Sequence, residues 1–296
     1  MTTSAQSIGK RVSRQKRGFL SDAVIRLLRN RPAILGFVLI APIVVAAFLA
    51  PFIGPFDPLA GDLSESLRTP DAVHWMGTDI QGRDVLSRIL LGARISLGIG
   101  FAAVAIGLML GGIMGCLAGG LGGWVDTIIM RIADVMLAIP GILLAIGIVA
   151  WLNRGLPQIM MAIAATNVPI FARLLRGSLL GLRQADFVVA ARSFGIGRAG
   201  LLLRHMLPNA LTPIIVQATL SLGTAIIDVA GLGFLGLGPP DPSTPEWGAM
   251  LTDAASLIRV APHLVFFPGL AIVVVVMGLN LLGDGIRETL DPRVRR

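Results

Sequence analysis

Few residues in this chain could do chemistry. Three histidines (His74, His205 and His263) stand far apart, and the single cysteine, Cys116, lies in an apolar stretch. One cysteine forms no disulfide within the chain, and the histidines read as polar loop or interface residues rather than a metal set. A phosphate-cradling loop needs a glycine-rich turn followed by Lys and Ser or Thr. Lys10 follows Gly9 but precedes Arg11, and Lys16 has no glycine before it. There is no His-Glu-x-x-His pair and no Gly-x-Ser-x-Gly elbow. The chain is therefore expected to be no enzyme and to hold no cofactor or metal of its own. What remains are ionisable groups within apolar runs: Arg131, Asp134 and Asp228. Such groups are costly in lipid and mark polar pairs or paths. Arg131 and Asp134 stand i, i+3, so they share a helix face and are expected to pair. Asp228 has no partner in its own run and reads as a pathway or inter-subunit residue.

The elements carrying these groups are set by composition. Of 296 residues 54% are hydrophobic and 14% charged, against about 25% charged in soluble domains. Apolar runs are expected at Ala33–Ile53 and at about 95–118, 125–150, 158–175, 209–234 and 264–282. Each suits a hydrocarbon core of about 30 Å at 1.5 Å per residue. Runs this long without alternation are helical, because lipid satisfies no backbone hydrogen bond. The expected fold is an all-α integral membrane protein with six transmembrane helices. A tail over 1–31, a membrane domain over 32–283 and a tail over 284–296 complete the division. The first run is too long for a signal peptide and is read as a retained span. In the second, Gly107, Gly111, Gly115, Gly119 and Gly123 recur every four residues. That spacing makes a flat face for close helix approach, within the subunit or against a partner.

Charge placement orients the spans, and it accounts for the net charge of +8 without nucleic acid. The 1–31 tail has eight basic residues against Asp22 alone. Residues 173–208 carry six arginines against Asp186, and the C-terminal tail has Arg287, Arg293, Arg295 and Arg296. The loops over 54–93 and 236–262 are rich in acids. Arginine marks the cytoplasmic side, so both termini are expected there.

Residues 186–208 are the most informative stretch. Phe187, Ala190, Ala191 and Phe194 fall at i, i+3, i+4 and i+7, the stripe of a short amphipathic helix. Asp186 suits its first turn, and Gly195 and Gly197 suit its end. A helix this short needs a groove to dock in. On the other side, Gly77 and Gly82 read as turn points. Val85, Leu86, Ile89 and Leu90 read as a separate amphipathic helix on the outer face, between the first two spans.

These residues resemble a known family. Ala190-Ala191, three residues, Gly195, then nine residues to His205-Met206-Leu207-Pro208 is similar to the cytoplasmic loop of ABC-importer permeases, with Val189 in place of the usual Glu. The block from His74 to Arg88, Arg131-x-x-Asp134 with Pro140, Phe234 to Gly238, Pro245-Glu246-Trp247-Gly248 and Asn280 to Gly285 resemble the second permease of dipeptide, oligopeptide and nickel importers. The resemblance implies a bacterial inner-membrane permease that forms a path with a sister permease. It also implies two ATP-binding subunits, which bind ATP and Mg, and an extracytoplasmic substrate-binding protein. Asp186, Phe187, Ala190, Ala191, Arg192, Phe194, Gly195, Leu207 and Pro208 would then form the coupling segment, with Ala191 packed in the ATPase groove. A peptide is the expected substrate; nickel or another small solute is the alternative within the family. Outside it, the competing class is a self-sufficient carrier or channel, which would need midplane charges and no ATPase.

Overall fold

The computed structural model describes residues 26–290. The basic residues Lys10 to Arg17 and the tail arginines Arg293, Arg295 and Arg296 lie outside the described residues. The helices are α1 (Arg31–Ile53), α2 (Val85–Leu121), α3 (Gly123–Ala138), α4 (Gly141–Leu152), α5 (Leu156–Leu182), α6 (Asp186–Ser193), α7 (Leu207–Leu232), α8 (Trp247–Ala254) and α9 (His263–Leu290). A π-helical turn, Leu201–Met206, precedes α7, and a second, Gly233–Leu237, follows it and is broken at Gly236, which is left-handed (φ +75°). Together with residues from Arg198 they make one 40-residue helical stretch, Arg198–Leu237. That stretch and α1, α2, α5 and α9 are long and apolar enough to cross a membrane, and α3 with α4 makes a sixth if the bent pair is one span.

Two expected elements differ. The third span is not one helix: α3 and α4 meet at 94°. Pro140 clashes with helical backbone in the residue before it, so Ile139 is extended (φ −93°, ψ 130°) and Pro140 opens α4. The outer amphipathic helix is not separate either. Val85, Leu86, Ile89 and Leu90 are the first turns of α2, and the helix runs unbroken to Leu121. At the other end, α9 passes residue 283 without a break and continues to Leu290.

The bundle is held at two seams. Along α2, Gly107, Gly111, Gly115 and Gly119 lie against α5. A Cβ at Gly111 would sit 2.4 Å from Val168 O, and one at Gly115 2.5 Å from Ala172 O, so the glycine face is filled within the subunit. Gly123 stands outside this seam and opens α3. The second seam joins α1 to α9, where Gly36 abuts Gly278 and Gly285 abuts Ala33. Small residues allow this approach, and dispersion between the backbones stabilises it in lipid. The larger core cluster fills the space between α2, α4, α5 and α7 with Ile159, Ile163, Phe171, Leu179 and Val229, all fully buried.

Candidate functional site

The segment joining α5 to α7 begins with Ala185 in extended backbone, and α6 follows with Asp186 in its first turn. An acid there complements the positive end of the helix dipole. Gly195 ends the element with φ +81°, in the left-handed region, where a side chain would be strained. Gly195 N–H donates to Arg192 O (2.9 Å) and Ile196 N–H to Ala191 O (3.3 Å), satisfying the last carbonyls. The chain then enters the π turn and α7, with Leu207 and Pro208 in its first turn.

The expected stripe divides between two faces. Val188 is fully buried and Ala191 nearly so, and both belong to the core with Leu201 and Met206 of the π turn. Phe187 (42% exposed), Ala190 and Phe194 (87% exposed) point away from the bundle. Ala191 therefore packs inside this subunit and is not on the free face. The reason is local: the π turn lies along one edge of α6 and covers the i, i+3 pair Val188 and Ala191. The pair Phe187 and Ala190, with Phe194 one turn on, is left uncovered. Arg192 is exposed beside a cleft of ≈ 680 Å³ that Arg183 and Arg198 also line. Arg183 Nη2 donates to Gly119 O (2.7 Å) and Gly120 O (2.9 Å), tying the end of α2 to this segment.

The polar groups within the bundle pair differently from the expectation. Asp134 takes Arg173 of α5, and Arg131, exposed, is in none of the ion pairs among the described residues. Two turns earlier Asp126 takes Arg176 in a two-pronged contact, with Nη2 to Oδ2 at 2.7 Å. Because α5 runs beside α3, the cross-helix arginines reach the acids first; their distance in sequence hid them. Asp228 is partly buried on α7, one to three turns from Thr224 and Gln217 on the same side of the helix. The ion pairs among the described residues do not include it.

At the opposite end, residues 54–84 fold into a polar frame over α2. Gly77 and Gly82 both turn with positive φ. Asp84 caps α2: Oδ2 accepts from Ser87 N (2.8 Å) and Ser87 Oγ (2.8 Å), and Oδ1 lies 2.9 Å from His74 Nδ1. Asp79 Oδ2 accepts from Arg83 Nε at 2.7 Å and lies 3.4 Å from Arg88 Nε. Arg88, 2% exposed, also donates to Pro58 O and Ser243 O, each at 3.2 Å, and so joins two loops distant in sequence. Glu246 is fully buried and caps α8, accepting from Gly248 N (2.8 Å), Ala249 N (2.9 Å) and Ser96 Oγ (3.1 Å). Burial raises its carboxyl above the usual range, and those three hydrogen bonds oppose the shift. The sequence marked Arg88 and Glu246 only as parts of motifs. Their burial follows from contacts 150 or more residues away, which spacing does not reveal.

Residues 107–296 match the family described as the inner membrane component of binding-protein-dependent transport systems. The chain belongs to that family. This permease also matches, over residues 18–70, the N-terminal transmembrane domain of oligopeptide transport permease C. It is 47% identical over 274 residues to the dipeptide transport system permease protein DppC of Alkalihalophilus pseudofirmus, covering 93% of this chain and 90% of that one. It is 44% identical over 271 residues to the glutathione transport system permease protein GsiD of Pectobacterium atrosepticum, covering 91% and 90%. The MetNI methionine ABC transporter, in an inward-facing form, shares its fold with TM-score 0.58 and 19% identity over 69% of this chain and 96% of that one. The permease is thus a multi-pass inner-membrane transport subunit of the ABC-importer type.

Proposed function

We propose that this permease is one of a pair forming the path of an ATP-driven importer for small peptides, and that α6 couples it to an ATP-binding subunit. The observation carrying the reading is the free stripe Phe187, Ala190 and Phe194 on a helix anchored from behind by Val188 and Ala191. Apolar side chains at i, i+3 and i+7 on an anchored helix are the means by which a helix fits a groove. ATP and Mg belong to the partner subunits, whose closure pushes α6. The arginine-rich end lies in the cytoplasm and the 54–84 frame outside, where exposed Leu63, Val73 and Trp75 meet a substrate-binding protein. Both termini lie in the cytoplasm by the same orientation. Dipeptides and glutathione, carried by systems of the two relatives, are both small peptides, which supports that substrate class. Gln217, Thr224 and Asp228 give α7 the polar side that a path for such solutes needs.

Reconstitution tests this. In liposomes, uptake of labelled dipeptide should require the sister permease, the ATP-binding subunits, the binding protein and ATP together. The isolated permease should bind no nucleotide. Uptake by this chain alone would refute the reading and favour a self-sufficient carrier.

A further inference from the structure

On the side of the bundle where α1 leans on α2, an apolar cleft of ≈ 580 Å³ opens. Val44 and Phe48 of α1 and Leu97 and Phe101 of α2 form its walls, and Leu222 of α7 and Leu279 of α9 close it behind. Its lining holds a single charged residue, Arg94. Phe56 N donates to Ser87 Oγ (3.2 Å), which places the end of α1 level with Ser87 of α2. Arg94 is seven residues further along α2, about 10 Å toward the membrane centre at 1.5 Å per residue. It is exposed, and the ion pairs among the described residues do not include it. The apolar run of α2 starts at about residue 95, so Arg94 stands at headgroup level, where an arginine meets lipid phosphates through its flexible stem. The cleft also lies on the far side of α7 from its polar residues. Leu222 and Ile226 face it, and Thr224 and Asp228, two positions on from each, point about 200° away.

We infer that this cleft is a phospholipid site: the Arg94 guanidinium holds the phosphate, and one acyl chain lies between α1 and α2. The phosphate and one acyl chain are each matched. A guanidinium fork binds phosphate oxygens in pairs, and an apolar slot runs from it past Leu97 and Phe101. Transported solute would not fit this side, because below Arg94 the lining offers no polar group to a peptide.

The test uses the assembled transporter in nanodiscs with phosphatidylglycerol carrying a diazirine in one acyl chain. Light should attach the lipid to peptides spanning residues 40–48 and 97–101. Gly98 lines the cleft, and a Cβ there meets nothing within 4 Å. Gly98→Phe should therefore fill the slot without disturbing α2 and reduce labelling of those peptides. Arg94→Gln should lower the phospholipid retained on purification about tenfold, the factor expected for one charge-assisted hydrogen bond, and Arg94→Lys should restore most of it. Size-exclusion profiles check that each variant still assembles. Arg94→Gln carries the test if Gly98→Phe does not. Labelling and lipid retention unchanged by Arg94→Gln would overturn the inference. So would a benzoylphenylalanine at Val44 that crosslinks to polypeptide instead of lipid.

Discussion

Replacing Phe194 by alanine isolates the proposed docking face. The side chain is 87% exposed, so its loss removes little from the subunit's own packing. Full burial of a phenylalanine is worth about 1.5–3 kcal/mol. With that fraction still free, docking stands to gain about 1.3–2.6 kcal/mol from this side chain, or about 8- to 70-fold in affinity. The assay is the affinity of the ATP-binding subunit for permease pairs held in nanodiscs, read alongside peptide-stimulated ATP hydrolysis. Ala191→Asp is the contrasting variant. Because Ala191 faces Leu201 and Met206, a charge there should lower the amount of folded permease before it touches docking. Arg198→Gln, an exposed charge, should be mild. Wild-type affinity for Phe194→Ala at a normal level of protein would refute the docking role of α6; a selective docking loss with full stability in Ala191→Asp would instead refute the inward placement of Ala191.

Other expectations follow from the same geometry. With Cys116 replaced, single cysteines at Ser64 and Ser243 should react with an impermeant thiol reagent from outside and one at Ser193 should not; the reverse would invert the orientation. Gly115→Leu would drive a side chain into Ala172 O, 2.5 Å from its Cβ position; overpacking of about 1–3 kcal/mol or more should lower the melting temperature in detergent, whereas Gly112→Leu, with open space at its Cβ, should not. Glu246 binds its proton more tightly folded than unfolded. Its contribution is full at pH below the ordinary Glu range and is lost as pH rises through the raised value. Thermal melting of the wild type should fall over that rise, and Glu246→Gln should flatten the fall; parallel curves would remove Glu246 as the cause.

Hydropathy made the spans legible because lipid admits so few solutions, and the arginine and acid asymmetry was visible for the same reason. The short helix α6 was also legible, from Asp186 at its start to Gly195 at its end. Periodicity did not resolve which edge of α6 faces home. A stripe of Phe187, Ala190, Ala191 and Phe194 is apolar on both sides of its midline, and only the neighbouring π turn decides that Ala191 turns inward. The same limit hid the partners of Asp134. An i, i+3 neighbour is visible in sequence, whereas Arg173 comes from another helix. Pro140 stood in plain view, but a single proline inside an apolar run marks a kink or a full break alike. Here the bend is 94°, a full break.

The continuous stretch from Arg198 to Leu237 sets an angle as well as a distance. Its first π turn bears on α6, and Gly233 in its second lies against the Glu246 carboxylate. Each residue of an α-helix advances the surface by about 100°, while a π turn holds back part of that advance. The first π turn and the length of α7 therefore set the rotational phase between the face that meets α6 and the face that meets α8. A single residue inserted into the middle of α7 would leave both ends folded yet turn one about 100° against the other. Four inserted residues would bring the rotation back to within about 40° but lengthen the helix by about 6 Å. Inheritance of this helix should tolerate substitutions along its lipid face far better than any change in its length.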